Sequence, residues 1–159
     1  MPTTMLIPLT QGKFAVIDEA DYELVSGHKW FAHKPHQRPS WYANANIRRD
    51  GRWGIIRMHR VIMDAPAGME VDHRDGDGLN NTRANLRLAT KSQNMANRGA
   101  PRANKTGLKG AFPCGKGWMS RIRHQGKQIY IGFYATPEEA HAAYAAKARE
   151  IHGEFARTE

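Results

Sequence analysis

The stretch Met69-Glu70-Val71-Asp72-His73-Arg74-Asp75-Gly76-Asp77-Gly78-Leu79-Asn80-Asn81, continuing through Asn85-Leu86-Arg87-Leu88 to Thr90-Lys91-Ser92-Gln93-Asn94, reads as strand, long loop, strand and helix. A short apolar start ends in Asp72-His73. The Arg-Asp-Gly-Asp-Gly run with Asn80-Asn81 behind it is turn chemistry, too polar and too Gly-rich for regular structure. Order returns at Leu86-Arg87-Leu88. Thr90 then stands three residues before Gln93, the spacing of a capping box, which puts Asn94 on the first turn of a helix.

Asp72, His73 and Asn94 are the groups one would choose to hold a hard divalent cation beside a phosphodiester. A carboxylate and an amide carbonyl are oxygen ligands suited to Mg²⁺, which keeps waters and substrate phosphate in its other positions. An imidazole of ordinary pKa, about 6.5, is mostly neutral at cellular pH and can take a proton from attacking water. A cation at the site would offset charge on the leaving oxygen. Neighbours on a regular strand point to opposite faces, so for Asp72 and His73 to address one phosphate we expect the strand to break its pleat at His73.

Val71-Asp72-His73, Leu79-Asn80-Asn81, Asn85-Leu86-Arg87, Gln93-Asn94 and Asn97-Arg98 resemble the HNH nucleases of phages and mobile introns, in the His-Asn-Asn variant. The resemblance implies a ββα-metal hairpin and helix, with His73 as general base, Asp72 and Asn94 as metal ligands, and Asn85 as the residue that braces the loop and holds the histidine. It also implies hydrolysis of DNA to 5′-phosphate and 3′-hydroxyl ends with Mg²⁺, or Mn²⁺, as the only cofactor.

Composition agrees with a polyanionic partner. The chain has 159 residues and a net charge of +9, and no acidic residue occurs between Pro101 and Pro137. A basic stretch free of carboxylates suits a phosphate backbone. The single cysteine, Cys114, excludes disulfides within the chain and zinc fingers of the Cys₂His₂ or Cys₄ type, and points to a reducing compartment. No run reaches membrane length and the opening residues lack the pattern of a secretory signal, so the expected place is the cytoplasm, for a phage enzyme that of its bacterial host.

Residues 1–57 read as mostly β. Ile7–Leu9 and Phe14–Ile17 flank Gln11-Gly12 as a small hairpin, and Asp18 looks like the cap of a two-turn helix stopped by Gly27. Trp30–Ala32, Trp41–Ile47 and Trp53–Met58 read as strands, the last two joined through Asp50-Gly51, a tight-hairpin signal. Trp30, Trp41 and Trp53 are expected in the core, and His28, His33 and His36 as scattered surface imidazoles. Arg48, Arg49, Arg52 and Arg57 line the hairpin, where a DNA backbone or plain solvent would suit them equally. Met58-His59-Arg60 resembles the segment that precedes the hairpin in HNH nucleases, with His59 in the packing or at the margin of the site.

Residues 99–105 read as a linker. Beyond them, Leu108–Phe112, Gly117–Arg123 and Lys127–Phe133 are expected as three antiparallel strands. A helix then starts with Thr136 as cap, Pro137 at the first position and Glu139 as the capping-box acid. Alternation on the middle strand separates Trp118, Ser120 and Ile122 from Met119, Arg121 and Arg123, placing two guanidiniums on one face. From Asn104 to Arg157 the chain resembles the three-stranded DNA-binding domain of plant ethylene-response factors, the AP-two type. Gly107-Leu108-Lys109-Gly110, Tyr130-Ile131-Gly132-Phe133-Tyr134 and Thr136-Pro137-Glu138-Glu139-Ala140 carry the signature. That resemblance implies DNA contacts through Lys109, Arg121, Arg123, Gln128 and Tyr130. Phe112, Arg121 and Gln128 depart from the plant residues, so only the docking mode transfers.

The expected fold is therefore α+β. A nuclease domain spans 1–98, with a β-rich part at 1–57 and the ββα-metal motif at about 58–98. The linker follows at 99–105, and a three-stranded sheet packed on one helix occupies 106–159. The expected function is a metal-dependent DNA endonuclease, homing-type or phage, acting on double-stranded DNA as a monomer or dimer and nicking one strand per event. The partner set includes no membrane and no small-molecule cofactor. A catalytically inactive DNA-binding regulator on the same scaffold is the alternative, and RNA binding through the basic sheet a third reading.

Overall fold

Asp50 and Gly51 form the tip of a tight hairpin with φ of 49° and 76°, the left-handed pair that matches the twist of two antiparallel strands. The computed structural model describes residues 2–36, 39–98, 104 and 106–158. Apart from Asn104, the linker at 99–105 lies outside the described residues. Two compact units cluster separately, Met1–Thr90 and Lys91–Glu159. The fold is mixed α and β, with several small antiparallel sheets and few helices.

In the first unit, β1 (Thr4–Pro8) and β2 (Phe14–Asp18) pair as a hairpin. A 3₁₀ turn at Glu19–Asp21 leads into α1 (Tyr22–Ser26). β3 (Trp30–His33), β4 (Tyr42–Arg49) and β5 (Arg52–Arg57) form a three-stranded sheet with β4 in the centre. α2 (Met58–Ile62) follows directly, so Met58 begins a helix and does not end a strand. β6 (Glu70–His73) and β7 (Leu86–Ala89) make a second hairpin. The core gathers one or two side chains from most of these: Ile7, Ile17, Val25, Trp30, Ala45, Met58, Ile62, Val71 and Leu86.

Two expectations fail here for physical reasons. Only Trp30 of the three tryptophans is in the core; its indole N–H donates to Val25 O at 2.8 Å, satisfying the polar edge that burial would strand. Trp41 lies under the ammonium groups of Lys13 and Lys34, 4.5 and 5.8 Å from its ring centroid, and Trp53 is 74% exposed. Asp18 precedes the 3₁₀ turn without a side-chain cap bond. Its carboxylate instead accepts the backbone N–H of Arg83 at 2.8 Å. His28, His33 and His36 are exposed.

The second unit begins with α3 (Lys91–Ala96), then β8 (Ala111–Cys114), β9 (Gly117–His124) and β10 (Lys127–Tyr134) in the order β10-β9-β8. α4 (Pro137–His152) packs on the sheet. The Thr136 hydroxyl and Glu139 carboxylate form the full capping box, with Pro137 in the first turn. The small alanines of α4 allow close approach, and Ala140, Ala145 and Ala148 are buried with Tyr144. Gly110 sits where a Cβ would fall 2.1 Å from the Tyr144 ring, at φ +83°, so both space and backbone demand glycine. Ile122 packs with Tyr144 and Ala148 in the core of this unit.

Candidate active site

β6 brings Asp72 and His73 to the end of a two-stranded ladder, opposite Arg87 and Leu86. Residues directly opposite share a face, so Asp72 lies beside Arg87 while His73 shares its face with Leu86. The register runs unbroken through His73. The expected break in the pleat is absent, and the chain turns away only at Arg74, leaving both side chains covered on the two faces of the ribbon. Asp72 Oδ2 accepts two bonds from the Arg87 guanidinium, each at 2.8 Å, and both residues are buried. Arg87 is a partner that sequence reasoning missed. The signal for it is cross-strand register, which becomes visible only when the pairing of β6 with β7 is known.

His73 Nε2 lies 3.3 Å from Asn81 Oδ1. The His73 ring stands edge-to-face against His59, with centroids 5.0 Å apart, and against Tyr42 at 5.9 Å. Burial pushes the His73 imidazole below its usual pKa; the Asn81 bond and then the carboxylates of Asp75, Asp72 and Asp77 push back. His59 is driven well below the usual value by burial first, then by His73, Arg57 and Arg60. Both rings are therefore neutral at cellular pH. His59 packs directly on His73, and its buried Nδ1 has no hydrogen-bond partner. The adjacent Arg60 spans the chain between α2 and β6, donating to the carbonyls of Met69, Ala65 and Pro66 at 2.7, 2.9 and 3.1 Å.

The loop between β6 and β7 is tied to itself. Asn85 Oδ1 accepts the Asp75 N–H at 3.1 Å, and its amide donates to Asp75 Oδ1 at 2.9 Å and to Asn80 O at 2.8 Å. Asp75 in turn accepts from Asp77 N and from the Asn80 amide, both at 2.8 Å. Asn85 thus joins the start of the loop to its far side, while Asn81 reaches His73. The first hairpin holds the loop from outside. Val16 N–H donates to Leu79 O at 2.9 Å, and Asn81 N–H donates to Val16 O at 2.7 Å. The Arg83 guanidinium clasps both oxygens of Asp21 at 2.7 to 3.0 Å. Gly78 passes so close to β4 that a Cβ would fall 2.4 Å from Trp41 O and 2.6 Å from the Tyr42 ring.

Asn94 stands on α3, half-buried, in the second unit. Among the described residues, no group of three or more His, Cys, Asp or Glu is arranged to hold a metal ion, and no helix is long and apolar enough to cross a membrane.

On the sheet of the second unit, Arg121 pairs with Tyr130 and Arg123 with Gln128, so these four share one face. Ser120 and Ile122, at the alternate positions, are buried. The outer face also carries Phe112 and Phe133, and the Arg121 guanidinium lies over the Phe112 ring at 4.4 Å. Lys109 is placed differently. Its ammonium donates to the carbonyls of Ala96, Arg98 and Arg157 at 2.7, 2.5 and 2.9 Å, which engages all three of its protons. Burial, and then Arg157, lower its pKa to about 8.

A family model described as HNH endonuclease matches residues 58–96. An uncharacterized HNH endonuclease, L560, of Acanthamoeba polyphaga mimivirus is 30% identical over 152 residues, covering 92% of this chain and 74% of that protein. Protein 3.8 of Escherichia phage T7 is 36% identical over 108 residues, 64% of this chain and 88% of the relative. Among solved structures, that of the HNH homing endonuclease I-HmuI, described as showing DNA binding and cleavage, is similar over 79% of this chain and 70% of that one, with a TM-score of 0.37 and 20% identity.

Proposed function

This chain belongs to the HNH endonuclease family, and we propose that it is a divalent-metal-dependent DNA endonuclease, of the His-Asn-Asn variant, that cuts one strand per event. The observation that carries the reading is His73 itself: a buried imidazole bonded at Nε2 to Asn81 and lowered in pKa by burial, against which the carboxylates of Asp75, Asp72 and Asp77 act. A neutral imidazole in a fixed orientation is what a general base requires, and such a base is worth roughly 10²–10⁴ in rate.

The residues that the resemblance implies as metal ligands suit a hard cation by their chemistry: the Asp72 carboxylate and the Asn94 amide carbonyl would each offer an oxygen donor of the type Mg²⁺ or Mn²⁺ takes. When bound, the ion supplies charge to offset the leaving oxygen. Arg87 aims the Asp72 carboxylate through its paired bonds. His73 accepts a proton from water as the water oxygen bonds to phosphorus. The bond from phosphorus to the 3′-oxygen then breaks, its electron pair stays on that oxygen, and a proton from solvent completes the 3′-hydroxyl. Asn85 keeps the loop closed so that the His73 backbone holds its place. With one such centre per chain, a double-strand break needs a second chain or a second visit.

Double-stranded DNA is held, in this reading, by the outer face of the second sheet through Arg121, Arg123, Gln128 and Tyr130, in the manner of the AP-two domains that the segment resembles. A sheet face with two guanidiniums and exposed aromatics suits a groove and its phosphates. Lys109, also implied by that resemblance, has its ammonium on the carbonyls of Ala96, Arg98 and Arg157 and in this reading braces the second unit.

Supercoiled plasmid incubated with the protein and Mg²⁺ or Mn²⁺ tests the proposal. Nicking that disappears with chelator and falls by about 10²-fold or more in His73→Ala is expected. Tight, salt-sensitive binding without nicking under any divalent ion would return the chain to a DNA-binding regulator.

A further inference from the structure

The bond between Asn81 and His73 does more than fill a buried polar site, because the surroundings of Asn81 decide which way round the bond runs. Asn81 is fully buried. Its amide nitrogen donates to Leu79 O at 3.1 Å. Turning the amide over would set its oxygen against that carbonyl oxygen, two acceptors with no proton between them. Oδ1 therefore faces His73, and an amide oxygen can only accept.

Resting on the reading of His73 as the general base, we propose that Asn81 is a positioning residue that fixes the tautomer of His73, keeping the proton on Nε2 and the lone pair on Nδ1, and that the first hairpin sets the position of Asn81. The second half of the statement comes from the backbone. Asn81 N–H donates to Val16 O at 2.7 Å, and Val16 N–H donates to Leu79 O at 2.9 Å, so β2 holds both the main chain of Asn81 and the carbonyl that orients its amide. An isolated parallel bridge joins Val16 to Asn80 at the same point. His59 and Tyr42 pack edge-to-face against the His73 ring. The ring thus packs against aromatic neighbours and meets an amide oxygen at Nε2, and the position of that amide is set by a strand more than fifty residues earlier in the chain. The family match begins at residue 58, so this contribution lies outside it.

The experiment reads the imidazole nitrogens directly. In ¹⁵N-labelled protein at about pH 8, where an imidazole is neutral, His73 is expected to show an unprotonated Nδ1 and a protonated Nε2 whose N–H proton sits downfield in a hydrogen bond. In Asn81→Leu the two nitrogen resonances should move toward each other as tautomers mix, the N–H proton should lose its downfield position, and nicking should show kcat lowered by about 10-fold or more with KM little changed. A wild-type protein with the proton on Nδ1, or an Asn81→Leu protein whose His73 resonances do not move, would overturn the proposal. If Asn81→Leu does not fold, the wild-type tautomer still decides it. The spectra need no cleavage, so an inactive protein with the expected tautomer would defeat the nuclease reading and leave the role of Asn81 standing.

Discussion

The loop that follows His73 and the outer face of the β8–β10 sheet are both rich in polar side chains, and they use them in opposite ways. In the loop, Asp75, Asp77, Asn80, Asn81 and Asn85 turn toward each other and toward backbone, so that nearly every bond closes inside the first unit. On the sheet, Arg121, Arg123, Gln128 and Tyr130 line up side by side with no carboxylate among them, and Tyr130 is 62% exposed. Chemistry at a phosphorus atom needs a base already in position, because reorganisation at the moment of reaction adds to the barrier. Binding a polyanion needs charge that is still available to bind. In the proposed function, polar residues facing inward serve the first purpose and polar residues facing outward serve the second.

The contrast can be broken at its strongest point by Asn85→Ala. Three side-chain bonds within the loop go with it, leaving the Asp75 N–H and the Asn80 carbonyl to find other partners. We expect a loss of about 2–4 kcal/mol in stability, read from urea unfolding, together with a large fall in nicking because the backbone that carries His73 loosens. DNA affinity at fixed salt should change little. A variant with full stability would show that the loop is held from outside, by Val16 and Arg83, and not by its own amides.

Arg121→Ala with Arg123→Ala tests the other side of the comparison. Each phosphate contact removed should reduce the slope of log affinity against log salt by about 0.9, so the double variant is expected to bind more weakly and with a flatter salt dependence. Its thermal stability should stay close to that of the parent, as an exposed guanidinium contributes little to folding. Arg121→Ala removes packing as well as charge, since the guanidinium also covers the Phe112 ring. An unchanged salt slope would remove this face from the DNA interface.

What the sequence disclosed follows the same division between local and distant causes. The Asp50-Gly51 hairpin and the Thr136, Pro137, Glu139 helix start were legible because each is settled within four residues. The buried and exposed sides of β9 were legible from alternation alone. The partners of the candidate site were not. Asn81 is oriented by Val16, Asp72 is paired with Arg87, and Asp18 caps nothing local but binds the Arg83 amide, 65 residues away. Trp30 and Trp53 look equivalent as residue types, and only strand register sends one indole into the core and the other into solvent. Lys109 occupied a position where resemblance implied DNA, and the carbonyls that engage it lie up to 48 residues away.

His59 gives the smallest expected effect and the sharpest test of how far inward-facing polarity can go, because its Nδ1 faces inward with no partner at all. Burial first, then neighbouring His73, Arg57 and Arg60, hold its pKa well below the usual value, and His73 is lowered in the same direction. Between the depressed folded values and about 6.5 the unfolded chain binds more protons than the folded one, so stability rises with pH across that window and is flat above it. Lowering the pH from 7 to 5 should therefore destabilise the first unit, by at most about 1.4 kcal/mol per pH unit for each histidine. His59→Leu removes one of the two titrations along with an unpaired buried nitrogen. Urea midpoints at the two pH values, followed by Trp30 fluorescence, should show a shallower pH dependence and a stability at pH 5 above that of the parent. If His59→Leu keeps the full acid sensitivity, the imidazole must find a partner when it takes up a proton, and His59 is then compensated in its charged form.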